Sequence, residues 1–91
     1  MKYSNEIVQL HNELVGKLNT LSAPLAAANA EPSVSVQIAS AAFMAAVRAA
    51  KTFTAGYSDS FADAELIKAR LCATADILTE AIEEQLADSG C

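Results

Sequence analysis

The sequence has no tryptophan, a single histidine, two cysteines and only three glycines. His11 has no second histidine to share a metal with, and Cys72 and Cys91 lie at no metal-binding spacing. The chain also lacks a glycine-rich phosphate loop and the His-Glu-x-x-His pattern of metalloproteases. We therefore expect no metal ligand, no cofactor-binding residue and no catalytic residue.

Carboxylate pairs are the remaining candidates for acid–base chemistry. Asp59 with Asp63, and Glu80 with Glu84, are close in sequence, but both pairs are expected to face solvent. A catalytic carboxylate needs a protected environment that changes its behaviour. His11 lies at the edge of the first apolar stripe and is expected to be a boundary residue. The sequence thus predicts that the protein is not an enzyme.

The charge balance is acidic, with a net charge of −5 and an isoelectric point near 4.6. Proteins that contact nucleic-acid phosphate usually present a basic face, so no direct nucleic-acid partner is expected. The longest uncharged stretch, residues 32–47, is shorter than the roughly 20 apolar residues that span a bilayer. Glu6 and Glu13 interrupt any apolar leader near the start. We expect a cytoplasmic protein without a membrane partner.

Alanine supplies about a fifth of the chain, and hydrophobic residues together make up 53%. Because alanine is the best helix former, this composition favours an all-α fold. The length corresponds to one domain, residues 1–91. We predict an antiparallel bundle of three main helices.

The first helix is predicted to begin near Ser4, a good N-cap residue, with Tyr3 and Val8 in the staple positions. Apolar residues then recur every three or four positions, as on one face of a helix. This stripe consists of Ile7, Leu10, Leu14, Leu18, Leu21 and Leu25.

Pro24 interrupts this pattern because it lacks an N–H group and clashes with the preceding turn. Either the helix kinks near Thr20, or Ser22 caps a second segment over residues 23–28. Because the stripe reaches beyond Pro24, we predict a kinked continuation. Residues 29–33 form the first loop.

The second helix is predicted to begin near Pro32 or Ser33 and to end at Gly56, where glycine allows a left-handed C-cap. Its only charged residues are Arg48 and Lys51. Since a surface helix normally carries a broad charged face, we expect this helix to be central and covered on most sides by the others.

The third helix is predicted to start after Ser60, which forms a capping pattern with Asp63. Cys72 is expected in or beside the core. The apolar stripe is Phe61, Ala64, Ile67, Leu71, Ala75, Leu78, Ile82 and Leu86. Leu66, Ala73, Ile77 and Ala81 extend it.

Short loops between long helices predict an up-down-up arrangement. That arrangement makes the bundle electrically lopsided, with one end nearly balanced and the other strongly acidic. The first end holds Lys2, Arg48, Lys51, Lys68 and Arg70 among several carboxylates. The acidic end holds Glu31, Asp76, Glu80, Glu83, Glu84 and Asp88.

The acidic end has two interpretations. Glu84 lies near the end of the helix, where the macrodipole favours cations, and it repels Glu80 one turn earlier. This arrangement is either a solvated helix end or a docking face for a basic protein partner. The candidate partner-binding residues are Asp76, Glu80, Glu83, Glu84 and Asp88.

Two further surfaces are candidates for binding. Arg48, Lys51, Lys68 and Arg70 either hold a small anion or nucleotide, or extend over alanine surface with only their charged ends in water. The small residues of the second helix let another helix approach to the short end of the usual 8–10 Å. These candidate dimer contacts are Ala42, Ala45, Ala46 and Ala49.

We therefore expect a homodimer in which helix 2, with helix 1 or helix 3, meets its copy across a two-fold axis. The alternative is a monomer with an exposed alanine face. The predicted function is a small acidic interaction module that binds and blocks or escorts a partner protein. Such size and composition are common among phage- and mobile-element-type accessory factors or inhibitors and among secretion chaperones. The alternatives are an anion- or nucleotide-binding module and a structural subunit that self-assembles through apolar helix faces.

Overall fold

A computed structural model describes residues 2–56 and 60–88 of the chain. Within those ranges the chain is almost entirely helical and contains no strand, and its three helices pack against one another. The all-α bundle of three main helices is confirmed. The helices are α1 (Lys2–Ala27), α2 (Val34–Ala55) and α3 (Phe61–Asp88).

Contacts near the two ends of the bundle define the direction of each helix. At one end the ring of Tyr3 packs edge-to-face on Phe61, with centroids 5.5 Å apart, so α1 and α3 start together. At the other end the Gln85 side chain accepts a hydrogen bond from the Ser33 N–H at 2.9 Å and donates to the Glu31 carbonyl at 2.8 Å. The start of α2 therefore lies beside the end of α3, and the order is up-down-up as predicted.

The central helix is α3, because α1 and α2 each contact it more extensively than they contact one another. Leu71 of α3 and Ile7 of α1 are the largest fully buried side chains among the described residues. The prediction that α2 is central and covered on most sides is wrong, since Val34 and Ile38 are 70% and 68% exposed. Alanine and serine side chains are found both in the core and on the surface of proteins. The lack of charged residues on α2 therefore did not require that the helix be buried. One stripe of α2 does enter the core: Val36, Ala39, Phe43, Ala46, Val47 and Ala50.

The start of α1 differs from its prediction. The helix begins at Lys2, which puts Ser4 inside the first turns, where it is buried. Ser4 is therefore not the N-cap, and Tyr3 and Val8 are not at staple positions. The contact between Tyr3 and Phe61 explains the difference, because tertiary packing supports a first turn that local capping alone would not.

Pro24 lies inside α1, which continues to Ala27, so a separate segment capped by Ser22 is not formed. The helix resumes its hydrogen bonding at once, because the Pro24 carbonyl accepts from the Ala28 N–H at 3.1 Å. Pro24 and Thr20 are both exposed, and water can satisfy the Thr20 carbonyl that the proline leaves without its donor. A kink near Thr20 stays a prediction.

Asn29 ends α1 in a left-handed conformation with φ 53°, the single non-glycine residue with positive φ in the described ranges. Its N–H donates to the Ala26 carbonyl at 3.1 Å, and the Ala30 N–H donates to the Leu25 carbonyl at 3.0 Å. Together these bonds form a Schellman motif, which satisfies carbonyls that a helix end leaves unpaired. The sequence prediction had treated this position only as part of a loop.

Three further helix ends match their predicted residues, and one of them has an unexpected geometry. The Ser33 hydroxyl accepts from the Val36 N–H at 3.2 Å, and the Ser60 hydroxyl accepts from the Asp63 N–H at 3.4 Å. Gly56 follows the end of α2, but its φ of −78° is extended rather than left-handed, so that part of the prediction is wrong. Its N–H donates to the Phe53 carbonyl instead.

The stripe of α3 is narrower than predicted. Leu66 and Ile77 are 59% and 56% exposed, Ala73 is exposed, and only Ala81 of the predicted extension is buried. Phe61 is also largely exposed beyond its contact with α1. Cys72, predicted in or beside the core, is exposed, because it follows Leu71 by one position and so points well away from that buried side chain. Tyr57, Asp59 and Cys91 lie outside the described residues.

The two helix ends predict opposite responses to substitution. Asn29→Ala should lower the free energy of unfolding by about 1 kcal/mol, because alanine is strained in the left-handed region, whereas Asn29→Gly should not. Gly56→Ala should be neutral or stabilising by up to about 1 kcal/mol, because its φ is negative and an added Cβ meets only ordinary contacts. Urea unfolding measures all three, and equal stability of the two Asn29 variants would contradict the assignment.

Candidate interaction surfaces

The solvent side of α2 carries an uncharged apolar stripe. Val34, Ile38, Ala41 and Ala45 follow one another at spacings of four, three and four, so they lie on one face of the helix, and all four are exposed. Arg48, three residues further on, is the first charge on this face. The stripe thus covers the first three turns of α2 without a charged residue.

A second exposed apolar stripe lies on the flank of α3 beside α2. Ile77 precedes the buried Ala81 by four residues and Gln85 by eight, and Gln85 contacts the start of α2. Side chains at these spacings share a side of the helix, which puts Ile77 toward α2 rather than α1. We refer to the combined surface as the outer face. Ala42 and Ala49 adjoin the α2 stripe on the side of Ile38 and Ala45 and are included in it. The outer face consists of Val34, Ile38, Ala41, Ala42, Ala45, Ala49, Leu66, Ala73 and Ile77.

The four alanines predicted as dimer contacts do not all lie on this surface. Ala42 and Ala45 are exposed and Ala49 is half-buried, whereas Ala46 is only 5% exposed and packs in the core of its own chain. The structure therefore brings three of the four together on the outer face. It adds the larger neighbours Ile38 and Ile77, which were not among the predicted dimer contacts.

The five candidate acidic residues all have exposed side chains on the solvent side of α3. None of them belongs to an ion pair within residues 2–56 and 60–88. Glu84 is four residues from both Glu80 and Asp88, so like charges adjoin it on the turns before and after. Repulsion between these carboxylates lowers the stability of this part of the helix, as the sequence indicated.

The candidate anion site is divided by the structure. Lys68 lies 3.3 Å from a Glu6 carboxylate oxygen and 3.0 Å from a Glu65 oxygen, so its ammonium already has two anionic partners. The hydrogen bond to Glu65 is the main cause that raises the pKa of Lys68; desolvation opposes it and Glu6 adds to it. Arg48 and Arg70 are exposed. Lys68 links the starts of α1 and α3 rather than presenting an uncompensated charge.

Two separate cavities, absent from the sequence analysis, lie along the seam between α1 and α2, and we refer to this seam with its cavities as the groove. Its larger cavity has a volume of about 420 Å³ and lies toward the end of α1, with Leu78 and Ile82 of α3 as its floor. A smaller cavity of about 200 Å³ lies toward the start of α1, where His11, Lys51 and Thr54 join aliphatic neighbours. The walls of the larger cavity include Val15, Leu18, Ser22, Leu25, Val36, Ser40, Phe43 and Met44.

The described residues contain neither a group of metal-ligating side chains nor a helix that could span a membrane. No three histidine, cysteine, aspartate or glutamate side chains there are grouped as metal ligands would be. None of the helices, over the same ranges, has an apolar run that would reach across a membrane.

Comparisons with known proteins give no relative for this chain. No protein-family model matches it, and no curated protein or solved structure matches it either.

The ion pairs of Lys68 predict a dependence of stability on alkaline pH. Since the pKa of Lys68 is raised above its ordinary 10.5, its stabilising effect is complete below that pH and is lost as the pH rises through the folded-state pKa. Lys68→Gln should therefore be less stable than the unsubstituted protein at neutral pH, and this difference should shrink above pH 10.5. Chemical denaturation at both conditions measures it.

Lys17→Gln is the matched control, because Lys17 makes no ion pair in the part of the chain that the structure describes. Its effect should be small at both pH values. A Lys68→Gln difference that stays constant from neutral to strongly alkaline pH would contradict the role of these ion pairs.

Proposed function

We propose that this protein is a small non-enzymatic interaction module that forms a homodimer through its outer face and binds a second protein, which it blocks or escorts. An accessory factor or inhibitor works in this way. The observation that supports the proposal most strongly is the position of Ile38, Leu66 and Ile77. These large aliphatic side chains are exposed although the bundle has a core of its own.

The outer face has the composition of a helix-packing surface. Ile38 and Ile77 flank Ala42 and Ala45, so bulky and small side chains alternate across two neighbouring helices. Small residues let a second helix approach closely, and each buried isoleucine or leucine contributes roughly 1.5–3 kcal/mol. Single exposed aliphatic residues are normal on a monomer, but several on one surface are typical of an interaction site. The exposed Arg70 lies on the same flank between Leu66 and Ile77, so the α3 part of this surface contains one charge.

A two-fold axis through this face would also suit the charge distribution. A two-fold axis perpendicular to α2 sets the two copies of α2 antiparallel, and we propose this orientation of the isologous contact. The start of each α2, next to Glu31 and the end of α3, then lies beside the Arg48 end of the other copy. In a parallel pair the two acidic ends would lie side by side and repel each other. In the antiparallel pair each acidic end lies beside the nearly balanced end of the other copy, which favours a closed dimer over open-ended assembly.

The acidic end of α3 is the proposed contact for a basic protein partner. Glu80 and Glu84 follow Ile77 by three and seven residues, so they lie on the same flank of α3, at the border of the outer face. Asp76 and Glu83 lie further round the helix, and dimerisation through α2 leaves them free. Like-charge neighbours at this end weaken the helix, and a solvated helix end gains nothing from them. Selection for a basic partner would give them a use.

The anion-binding alternative has weaker support. Lys68, one of its four candidate cations, is held by Glu6 and Glu65. The self-assembling subunit is also less well supported, because a two-fold contact uses the outer face of both copies and ends growth at a dimer.

Ile38→Glu should convert the dimer to a monomer. Ile38 is 68% exposed, so the substitution spares the core but introduces two carboxylates near the two-fold axis. Size-exclusion chromatography with light scattering, under reducing conditions, gives the mass. Met44→Glu is the control, because Met44 is on another side of α2. A monomeric unsubstituted protein, or a dimeric Ile38→Glu variant, would contradict the interface.

Glu84→Lys should stabilise the protein by about 1 kcal/mol while weakening its capture of a basic partner. The substitution replaces repulsion toward Glu80 and Asp88 by attraction at both spacings of four. Urea unfolding gives the stability, and retention of lysate proteins on the immobilised chain gives the capture. Glu13→Lys changes the net charge equally on α1 and should retain the same proteins. If both variants retain them, the acidic end is only a solvated terminus.

A further inference from the structure

The groove between α1 and α2 lies where an additional helix could pack in a larger helical bundle. Both helices rest on α3, and they contact each other least of the three pairs. Between them Leu78 and Ile82 form an apolar floor that reaches a cavity of about 420 Å³. Another molecule could therefore reach the apolar core between α1 and α2, on the side of the bundle opposite the solvent-exposed face of α3.

The groove is long enough for a helix of several turns. Its lining on α1 extends from Ile7 in the smaller cavity to Leu25 in the larger one. At 1.5 Å per residue this stretch of α1 is about 27 Å long, which matches a helix of about 18 residues. Val15, Leu18 and Ser22 line it at helical spacings, as a groove that receives a helix requires.

The rims of the groove suit a helix better than a small apolar molecule. Val8 on α1 lines the smaller cavity and is 46% exposed, and Met44 on α2 lines the larger cavity and is 51% exposed. An amphipathic helix would cover both while turning its own polar face to water. Methionine is flexible and polarizable, and such side chains recur at surfaces that accept helices.

Charge determines which helix the groove accepts. Glu6 faces Lys68 of α3. Glu13 follows Glu6 by seven residues and Lys17 follows Glu13 by four, so all three lie on one side of α1. This side faces away from the seam with α2. On the α2 side Lys51 lines the smaller cavity, and Arg48 precedes it by three residues. The rim is therefore cationic at that end.

We propose that the α1–α2 groove binds an amphipathic helix of another protein, with carboxylates on the end that lies beside Lys51. This inference rests on the proposed function as an interaction module and names a second class of partner for it. It uses a different surface from the homodimer, so the two can be tested independently.

The probe is a synthetic amphipathic peptide of about 18 residues, with a leucine face and glutamates in one terminal turn. Its counterpart carries lysines there. Fluorescence anisotropy of the labelled peptides measures the dissociation constant for the full chain. The glutamate peptide should bind more tightly, and Lys51→Glu should abolish that preference, whereas Lys17→Glu, with the same charge change on the far side of α1, should preserve it.

Met44→Glu should weaken peptide binding by about tenfold or more, because it places a charge on the apolar rim. Ile38→Glu, an equivalent change on the outer face, should leave the affinity within about twofold. Circular dichroism confirms that the variants are folded. Failure of the unsubstituted protein to bind the glutamate peptide, or equal losses in the two variants, would overturn the groove proposal.

Light scattering on the same samples separates this proposal from the dimer. A dimer that binds no peptide overturns the groove alone, and a monomer that binds the glutamate peptide supports the groove while the dimer interface fails. Direct binding of laurate measured by calorimetry, with no binding of either peptide, would assign the groove to a lipid-like anion and overturn the helix proposal.

Discussion

Packing against α3 determines the position of everything else in this bundle. Leu71 and Ala75 lie at the interior of α3 with almost no exposure, and small side chains such as Ala64 let the neighbouring helices come close. Because α1 and α2 meet mainly through α3, their own seam stays open. The same constraint turns the solvent side of α2 outward. Both the groove and the outer face therefore follow from one central helix that serves two neighbours.

Polar contacts then fix how the chain passes from α1 to α2. The left-handed residue Asn29 ends α1, and the amide of Gln85 binds the backbone on both sides of Pro32. These bonds satisfy backbone N–H and carbonyl groups that would otherwise have no hydrogen-bond partner at the ends of two helices. Since the start of α2 is held by α3, its first turns, with Val34 and Ile38, have a defined position although they are exposed.

Much of this fold could be predicted from the sequence, because periodicity and capping are local. The stripe around Leu18, the caps at Ser33 and Ser60, and the up-down-up order all depend on neighbours within a few residues or on loop length. The width of a stripe is not local. Leu66 and Ile77 fit a buried helix as well as an exposed one, and alanine on α2 is compatible with either. Hence the central helix was misassigned and the groove, which depends on the distance between helices, was not foreseen.

The places where local rules are broken are the most informative about function. A sequence optimised only for stability would not place Glu84 between two like charges, nor leave Ile38 in water on a helix whose other face already forms the core. Glu84 follows Ile77 by seven residues, so these two departures lie close to the same surface, and the groove lies on another side of the bundle. A chain this small has little stability to spare, so each of these departures weakens a fold that has a narrow margin.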